Sequence, residues 1–172
     1  YHREESRMES LKNMTERYEG YGNSIRKVME QREVRKGIHG VVADIIKVNK
    51  KYEIAVETAL GGSIQNIVTE DETTAKSLIH YLKENKFGRA TFLPLTEIDG
   101  SNTLKSSDAL KENGVIGIAS DLVEVETKYV KLIAHVLGRT IVVKHINDGV
   151  SLAKKFKHSL RIVTLEGELI NP

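Results

Sequence analysis

Three groups of residues have the types and spacing that chemistry could use. Glu70, Asp71 and Glu72 set three carboxylates side by side, as paired acid and base work would need. They stand directly before an amphipathic stretch, where acidic residues suit the positive end of a helix dipole, and that role accounts for them more simply. Gly61 and Gly62 in ALGGS resemble a phosphate cradle. Such a cradle lies between a strand and a following helix and continues into Gly-Lys-Ser/Thr, whereas these glycines follow a helical stretch and suit its C-cap. The six histidines, His2, His39, His80, His135, His145 and His158, have no HExxH spacing, and the chain has no cysteine to offer as thiolate ligand or nucleophile. Asp44 and Asp121 recur at matching positions, which a role in the fold explains as well as catalysis would. The expectation is no catalytic residue, no metal and no cofactor.

A scaffold for such residues is available, since 172 residues with 40% hydrophobic and 29% charged content suffice for one domain or two small ones. No apolar run approaches the roughly 20 residues of a membrane span, so no membrane partner is expected. The lack of cysteine and of a secretory leader points to the cytoplasm. A net charge of +2 is too mild to announce nucleic acid. Tyr1 opens the chain inside a charged, helix-like run, as in a piece of a longer protein.

Leu11, Met14, Tyr18, Tyr21, Ile25 and Val28 recur with spacings of 3, 4, 3, 4 and 3, the seam of a coiled coil. The alternative is an amphipathic helix lying on the domain. Gly20 and Gly22 soften the helix in either case. A coil needs a second stripe, and no other segment supplies one, so the partner helix is expected outside this sequence or on another molecule.

Sliding the sequence on itself gives one hit at an offset of 77, between GIHGVVADIIKVNKKYEIAVETALG (37–61) and GVIGIASDLVEVETKYVKLIAHVLG (114–138). The identical pairs are Gly37/Gly114, Gly40/Gly117, Asp44/Asp121, Val48/Val125, Lys51/Lys128, Tyr52/Tyr129, Leu60/Leu137 and Gly61/Gly138. With a one-residue insertion the match resumes at Ala75/Ala153, Lys76/Lys154, His80/His158 and Leu82/Leu160, and after a six-residue deletion at Arg89/Arg161 and Leu93/Leu165. Each copy reads as a strand (41–48; 118–125), a helix opening near Tyr52 or Tyr129, a second strand (64–68; 140–143), a second helix (72–83; 149–157) and a last strand (90–93; 161–165). The apolar face of the second helix is Ala75, Leu78, Ile79 and Leu82 in the first copy. The predicted organisation is an α+β chain: a coiled-coil helix over 1–36, one sheet-plus-helix subdomain over 37–98, a polar linker over 99–113 and a second subdomain over 114–172. The two subdomains are expected to pack about a pseudo-two-fold axis.

The long segment from GIHGVVADII onward, the lead-in YEGYGNSIRKVM (18–29), the string GRATFLPL (88–95) and the exit VTLEGELINP (163–172) together resemble the hinge domain of a bacterial SMC protein, a condensin-type chromosome ATPase. The resemblance covers nearly the whole chain. It implies a non-catalytic homodimerisation hinge between two antiparallel halves of a long coiled coil. The chain's own C-terminal coil half would then be the missing mate of residues 1–36. It also implies a nucleoid-associated cytoplasmic parent whose ATP-binding heads lie far away, and whose two arms enclose DNA during chromosome condensation and segregation. An exposed sheet edge in each half would mediate dimerisation, with Ile141, Val142, Val143, Lys144 and Arg161, Ile162, Val163, Thr164 as candidates. In the family pattern a glycine-rich stretch, resembling a dimer contact, follows the point at which this sequence stops. Weak, sequence-independent DNA binding would use Arg32, Arg35 and Lys36 at the junction and Lys154, Lys155, Lys157 and Arg161 in the second copy. The competing readings are a stand-alone nucleic-acid-binding module, which nine aromatics and +2 net charge disfavour, and a duplicated ligand-binding or enzyme domain.

Overall fold

The computed structural model describes residues 8–10, 22–101, 103–104 and 107–172. Its strands are β1 (Met8–Ser10), β2 (Ile38–Val41), β3 (Lys47–Asn49), β4 (Ile67–Thr69), β5 (Phe92–Pro94), β6 (Val115–Ile118), β7 (Val123–Glu124), β8 (Thr140–Val143), β9 (Arg161–Thr164) and β10 (Leu169–Ile170). The α-helices are α1 (Asn23–Glu30), α2 (Val42–Ile45), α3 (Glu53–Leu60), α4 (Glu72–Glu84), α5 (Val130–Leu137) and α6 (Ile146–Lys155). Three sheets result, in the orders β1-β3-β7, β2-β4-β5 and β10-β9-β8-β6.

The chain divides into two compact units, and they are not the contiguous halves that the repeat suggests. One comprises residues 10–46 and 62–99, the other residues 1–9, 47–61 and 100–172. Residues 47–61 therefore group with the second copy. The expected linker belongs to the larger unit as well: Asp108–Lys111 is a 3₁₀ turn whose Ala109 is buried with Ile141, Leu152 and Ile162.

In the smaller unit β4 is the central strand, antiparallel to β2 and parallel to β5, and all three of its residues are buried. Helix α4 covers this sheet with Ala75, Leu78 and Leu82 buried. Ile79, expected on that face, is half exposed instead, because it lies off the stripe that meets the sheet. Asp71 caps α4, its Oδ1 accepting from the Thr74 amide at 2.8 Å. That bond to the charged form holds the Asp71 carboxyl below the usual carboxylate range. Helix α1 packs on α4, burying Ile25 and Val28. The expected seam from Leu11 to Tyr21 lies outside the described residues. Its last two positions face the domain, as an amphipathic helix requires. Helix α1 ends at Glu30, and Met8–Ser10 is a strand beside β3, so within residues 1–36 the described parts are not one helix.

The larger unit repeats the plan. Its central strand β8 is antiparallel to β6 and parallel to β9, and β9 is covered in turn by antiparallel β10. Strand β3 pairs antiparallel with β7 in the register Lys47↔Glu124, and Glu124 is the repeat counterpart of Lys47. A local two-fold relation between β3–α3 and β7–α5 therefore passes through that pair, and α3 packs on α5. Arg161 Nη1 donates to the Ala59 carbonyl at the end of α3 and to Thr140 Oγ1, each at 2.8 Å. It serves a helix C-terminus that would otherwise keep an unpaired carbonyl.

Each long strand expected over 41–48 and 118–125 is broken by a helical turn, α2 in one copy and a 3₁₀ turn at Ala119–Leu122 in the other. The break lets one segment serve two sheets, and it puts Asp44 and Asp121 on turns. The match beyond Gly61/Gly138 also shifts. The ladders equate Val68 with Val142 and Leu93 with Val163, so Ala75/Ala153 and Arg89/Arg161 are not structural counterparts. The first copy has an additional 3₁₀ turn at Gly61–Gln65 and a helix of 13 residues against 10, which displaces the later register.

Gly37 and Gly114 show why that identity persists. Both have positive φ, 93° and 80°, and their carbonyls accept from the Glu70 and Lys144 amides at 2.7 and 2.8 Å. A Cβ would lie 2.6 Å from Thr74 Oγ1 in one and 2.2 Å from the Asp148 carboxyl carbon in the other. Replacing Gly114 with Ala is expected to destabilise the fold by about 1–3 kcal/mol, read as a lowered midpoint in urea unfolding, with Gly37→Ala acting in the same direction.

Candidate interaction surfaces

The strands proposed as interface edges are interior. Ile141, Val142 and Val143 lie in β8, buried between β6 and β9, and Lys144 follows at its exposed end. Arg161, Ile162, Val163 and Thr164 form β9, which has β8 on one side and β10 on the other. Their hydrogen-bonding edges are occupied, so neither segment is a template for another chain. Apolar, β-branched runs of this kind belong to central strands, which explains how they drew attention.

Among the described residues the edges lie elsewhere. They are β6 and β10 in the four-stranded sheet, β1 and β7 in the β1-β3-β7 sheet, and β2 and β5 in the smaller unit. The two copies differ on one side. Strand β9 is covered by β10 through Leu169↔Val163 and Ile170↔Ile162, whereas its counterpart β5 has only β4 as a neighbour. Phe92, Leu93 and Pro94 are all half-buried along that bare edge, and Leu169 on β10 is 39% exposed.

The basic candidates fall in both units. In the smaller unit, Arg32 Nη2 donates to the His39 carbonyl at 3.0 Å, and Arg35 donates to Gln31 Oε1 and Ser77 Oγ with its guanidinium 5.0 Å from the Tyr81 ring centre. Lys36 is exposed. In the larger unit, Lys155 pairs with Glu112 at 2.8 Å and Arg161 holds the end of α3, while Lys154 and Lys157 are exposed. Arg161 is thus a half-buried tertiary clamp whose Nη1 serves two acceptors.

Repeat geometry adds two cations that the sequence match concealed. The His158 amide donates to the Ala153 carbonyl as the Phe87 amide does to that of Leu82, which equates Lys154 with Lys83 and Lys157 with Lys86. Lys86 and Lys157 both sit at positive φ, 56° and 55°, in the left-handed cap position where glycine is the usual occupant. Lys83, Lys86 and Arg89 rim an open cleft of about 660 Å³ floored by Ile79, Leu82 and Ala90. A second open cleft, of about 650 Å³, lies in the larger unit among Ile118, Val123, Val130 and Ile133 with Asp121 and Glu124 at its rim.

Two histidines have carboxylate partners, one distant in the chain and one at i, i+4 spacing on α4. His39 Nε2 lies 2.6 Å from Glu70 Oε2, and His80 lies 2.9 Å from Glu84 one helical turn away. The first fastens β2 to the segment before α4, and the second is a surface pair. No group of three or more His, Cys, Asp or Glu side chains that could hold a metal is present among the described residues. No helix among them is long and apolar enough to cross a membrane.

The model of the family described as "SMC proteins Flexible Hinge Domain" matches residues 35–153. This chain belongs to the SMC hinge family. The chromosome partition protein Smc of Halothermothrix orenii is 41% identical over 167 residues, and that of Bacillus subtilis 39% over 170; they align with 96% and 97% of this chain. In each case the matched segment is 14% of the relative, so the hinge spans about one seventh of those proteins' length. Among solved structures, an asymmetric dimer of the Geobacillus stearothermophilus SMC hinge domain matches with a TM-score of 0.85 and 41% identity, covering 94% of this chain and 67% of that one. The Pyrococcus furiosus SMC hinge domain matches with 0.66 and 35%, covering 87% and 83%. The mixed α+β hinge architecture read from the sequence is the one observed.

The left-handed lysines have a measurable cost to the hinge. Lys157→Gly is expected to stabilise it by about 1 kcal/mol, because an L residue other than glycine is strained at this φ, and a raised thermal midpoint would show it.

Proposed function

We propose that the chain is the homodimerisation hinge of a chromosome-partition SMC ATPase. It would join two coiled-coil arms so that the parent, working on the nucleoid in the cytoplasm, can enclose DNA. Catalysis would belong to ATP-binding heads elsewhere in the parent, and the coil beginning before α1 would pair with a C-terminal half.

The observation that carries the dimer reading is the asymmetry between β9 and β5. The same strand in two copies of one fold is covered by an antiparallel neighbour in the larger unit and, among the described residues, bare in the smaller one. Along that edge Phe92 faces outward with an amide and a carbonyl and Pro94 with a carbonyl only, since proline has no amide, and such an edge can accept a strand. In this reading β5 of one chain pairs with β10 of a second, joining a three-stranded sheet to a four-stranded one. A two-fold axis repeats the pairing, so that half one meets half two twice and the assembly closes.

For DNA, the reading rests on exposed cations that recur with the fold: Lys154 and Lys157 in the second copy and Lys83 and Lys86 in the first, with Lys36 near the junction. No base-reading element accompanies them, so binding would be phosphate-driven and weakened by salt.

Two measurements test these roles. Light scattering across a dilution series is expected to show a dimer for the 172-residue chain. Leu169→Lys and Leu93→Lys should each weaken it about 30-fold or more, and unchanged mass in both variants would refute the edge pairing. Reversing Lys154, Lys155 and Lys157 to Glu is expected to weaken DNA binding at low salt, with circular dichroism unchanged. The log-log salt slope should flatten by about one unit for each phosphate the lysines no longer neutralise. Equal affinity and slope would remove these lysines from the DNA surface.

A further inference from the structure

The hinge holds α1 by backbone acceptors on one short segment. Asn23 Nδ2 donates to the Phe87 carbonyl at 3.3 Å, and the buried Ser24 hydroxyl donates to the Arg89 carbonyl at 2.6 Å. Lys27 Nζ lies 5.0 Å from the centre of the Phe87 ring, which meets Tyr81 edge-on at 5.7 Å. Further along, Gln31 Nε2 reaches the Tyr81 hydroxyl at 3.4 Å, and Arg35 lies over the same ring. Gly88, at φ 104°, lets the loop pass beside Ser24, whose Cβ lies 3.6 Å from where a Gly88 Cβ would stand.

That segment runs straight into β5. Two residues separate Arg89 from Phe92, and the Thr91 carbonyl already accepts from the Ile67 amide of β4. The edge that lacks a neighbour among the described residues and the acceptors that hold α1 are therefore two ends of one stretch of about seven residues. A strand held on one side only frays more readily than one held on both, and fraying that spread back from Phe92 would reach the carbonyls of Arg89 and Phe87.

We infer that the 86–92 segment couples pairing at the β5 edge to the seating of α1. A second copy that pairs with β5 orders the acceptors for Asn23 and Ser24, and a seated α1 in turn pre-orders β5 for its partner. The inference rests on the edge-pairing reading above. It adds that the direction in which the lead-in helix leaves the hinge is set by dimerisation, through reduced local disorder, with no change of fold. Coupling of this kind is reciprocal, so both directions are measurable.

In the forward direction, Asn23→Ala combined with Ser24→Ala in the 172-residue chain is expected to raise the dimer dissociation constant by about three- to tenfold, the effect of one or two missing hydrogen bonds. Asn49→Ala, which removes a comparable side-chain bond to the Lys51 amide far from β5 in the chain, is expected to leave it unchanged. In the reverse direction, hydrogen exchange of the α1 amides, Arg26 to Glu30, should accelerate several-fold when Leu169→Lys or dilution makes the chain monomeric. If Leu169→Lys is monomeric while α1 exchange and the dissociation constant of the double variant are unchanged, the coupling is overturned and the edge pairing stands. A chain that stays dimeric with both Leu169→Lys and Leu93→Lys overturns the two together. Equal weakening by Asn49→Ala would reduce the effect to general destabilisation and also overturn the coupling.

Discussion

A strand with every residue buried must have its backbone groups paired on both sides, and the architecture follows from meeting that condition twice. Strands β4 and β8 carry Ile67, Val68, Thr69 and Thr140, Ile141, Val142, Val143, all sealed from solvent. Each takes an antiparallel neighbour from the start of its repeat and a parallel one from the end. The parallel pairing demands a crossover, and α4 and α6 provide it while covering the same sheets. Once the central strands are satisfied, unpaired backbone remains only at the outer strands. Interaction with another chain is therefore a question about edges.

Duplication sharpens that question because the two copies solve it differently. The second copy extends past its last strand, turns at Gly167 and covers β9 with Leu169 and Ile170. The first copy leaves β5 bare among the described residues and continues into a segment that belongs to the larger unit. A protein made of two related halves, one with a covered strand and one whose counterpart is bare among the described residues, has the asymmetry that the proposed closed dimer of half one against half two would use. Charge at the local two-fold shows the same divergence. Lys47 faces Glu124, opposite charges at one repeat position, where an undiverged repeat would set like charges against each other.

Polar residues in this fold mainly fix geometry. Arg161 closes the end of α3, Asp71 opens α4, and His39 and Glu70 tie strand to loop. Exposed Lys and Arg are spread over both units, and four of them, Lys83, Lys86, Lys154 and Lys157, stand where helices α4 and α6 end. Two of them, Lys86 and Lys157, occupy backbone positions that favour glycine. Retaining a long cation at a strained position in both copies is what a requirement for the side chain itself would produce.

The family came from the resemblance of whole segments such as GRATFLPL to known hinges. Local patterns in the residues were enough to establish the duplication, the identities at Gly37/Gly114 and Tyr52/Tyr129, and the helices at α3, α4 and α5. All of these depend on short-range periodicity and on backbone positions that few residues tolerate. The order of strands, and with it the location of the edges, emerged only once the chain was folded. Ile141–Val143 and Arg161–Thr164 have the composition of strands, and composition does not say how many neighbours a strand has. The break at Asp44 and Asp121 was equally hidden, since one helical turn between two strands leaves alternation nearly intact over so short a run. Residues 47–61 read as part of the first copy yet pack with the second, because the packing of α3 on α5 and the bond from Arg161 to Ala59 join positions far apart in the chain. Sequence proximity carries no record of such pairings. The equivalence of Lys83 with Lys154 and Lys86 with Lys157 became visible only through matching backbone hydrogen bonds, since a turn gained in one copy and a helix shortened in the other had moved the letters out of register.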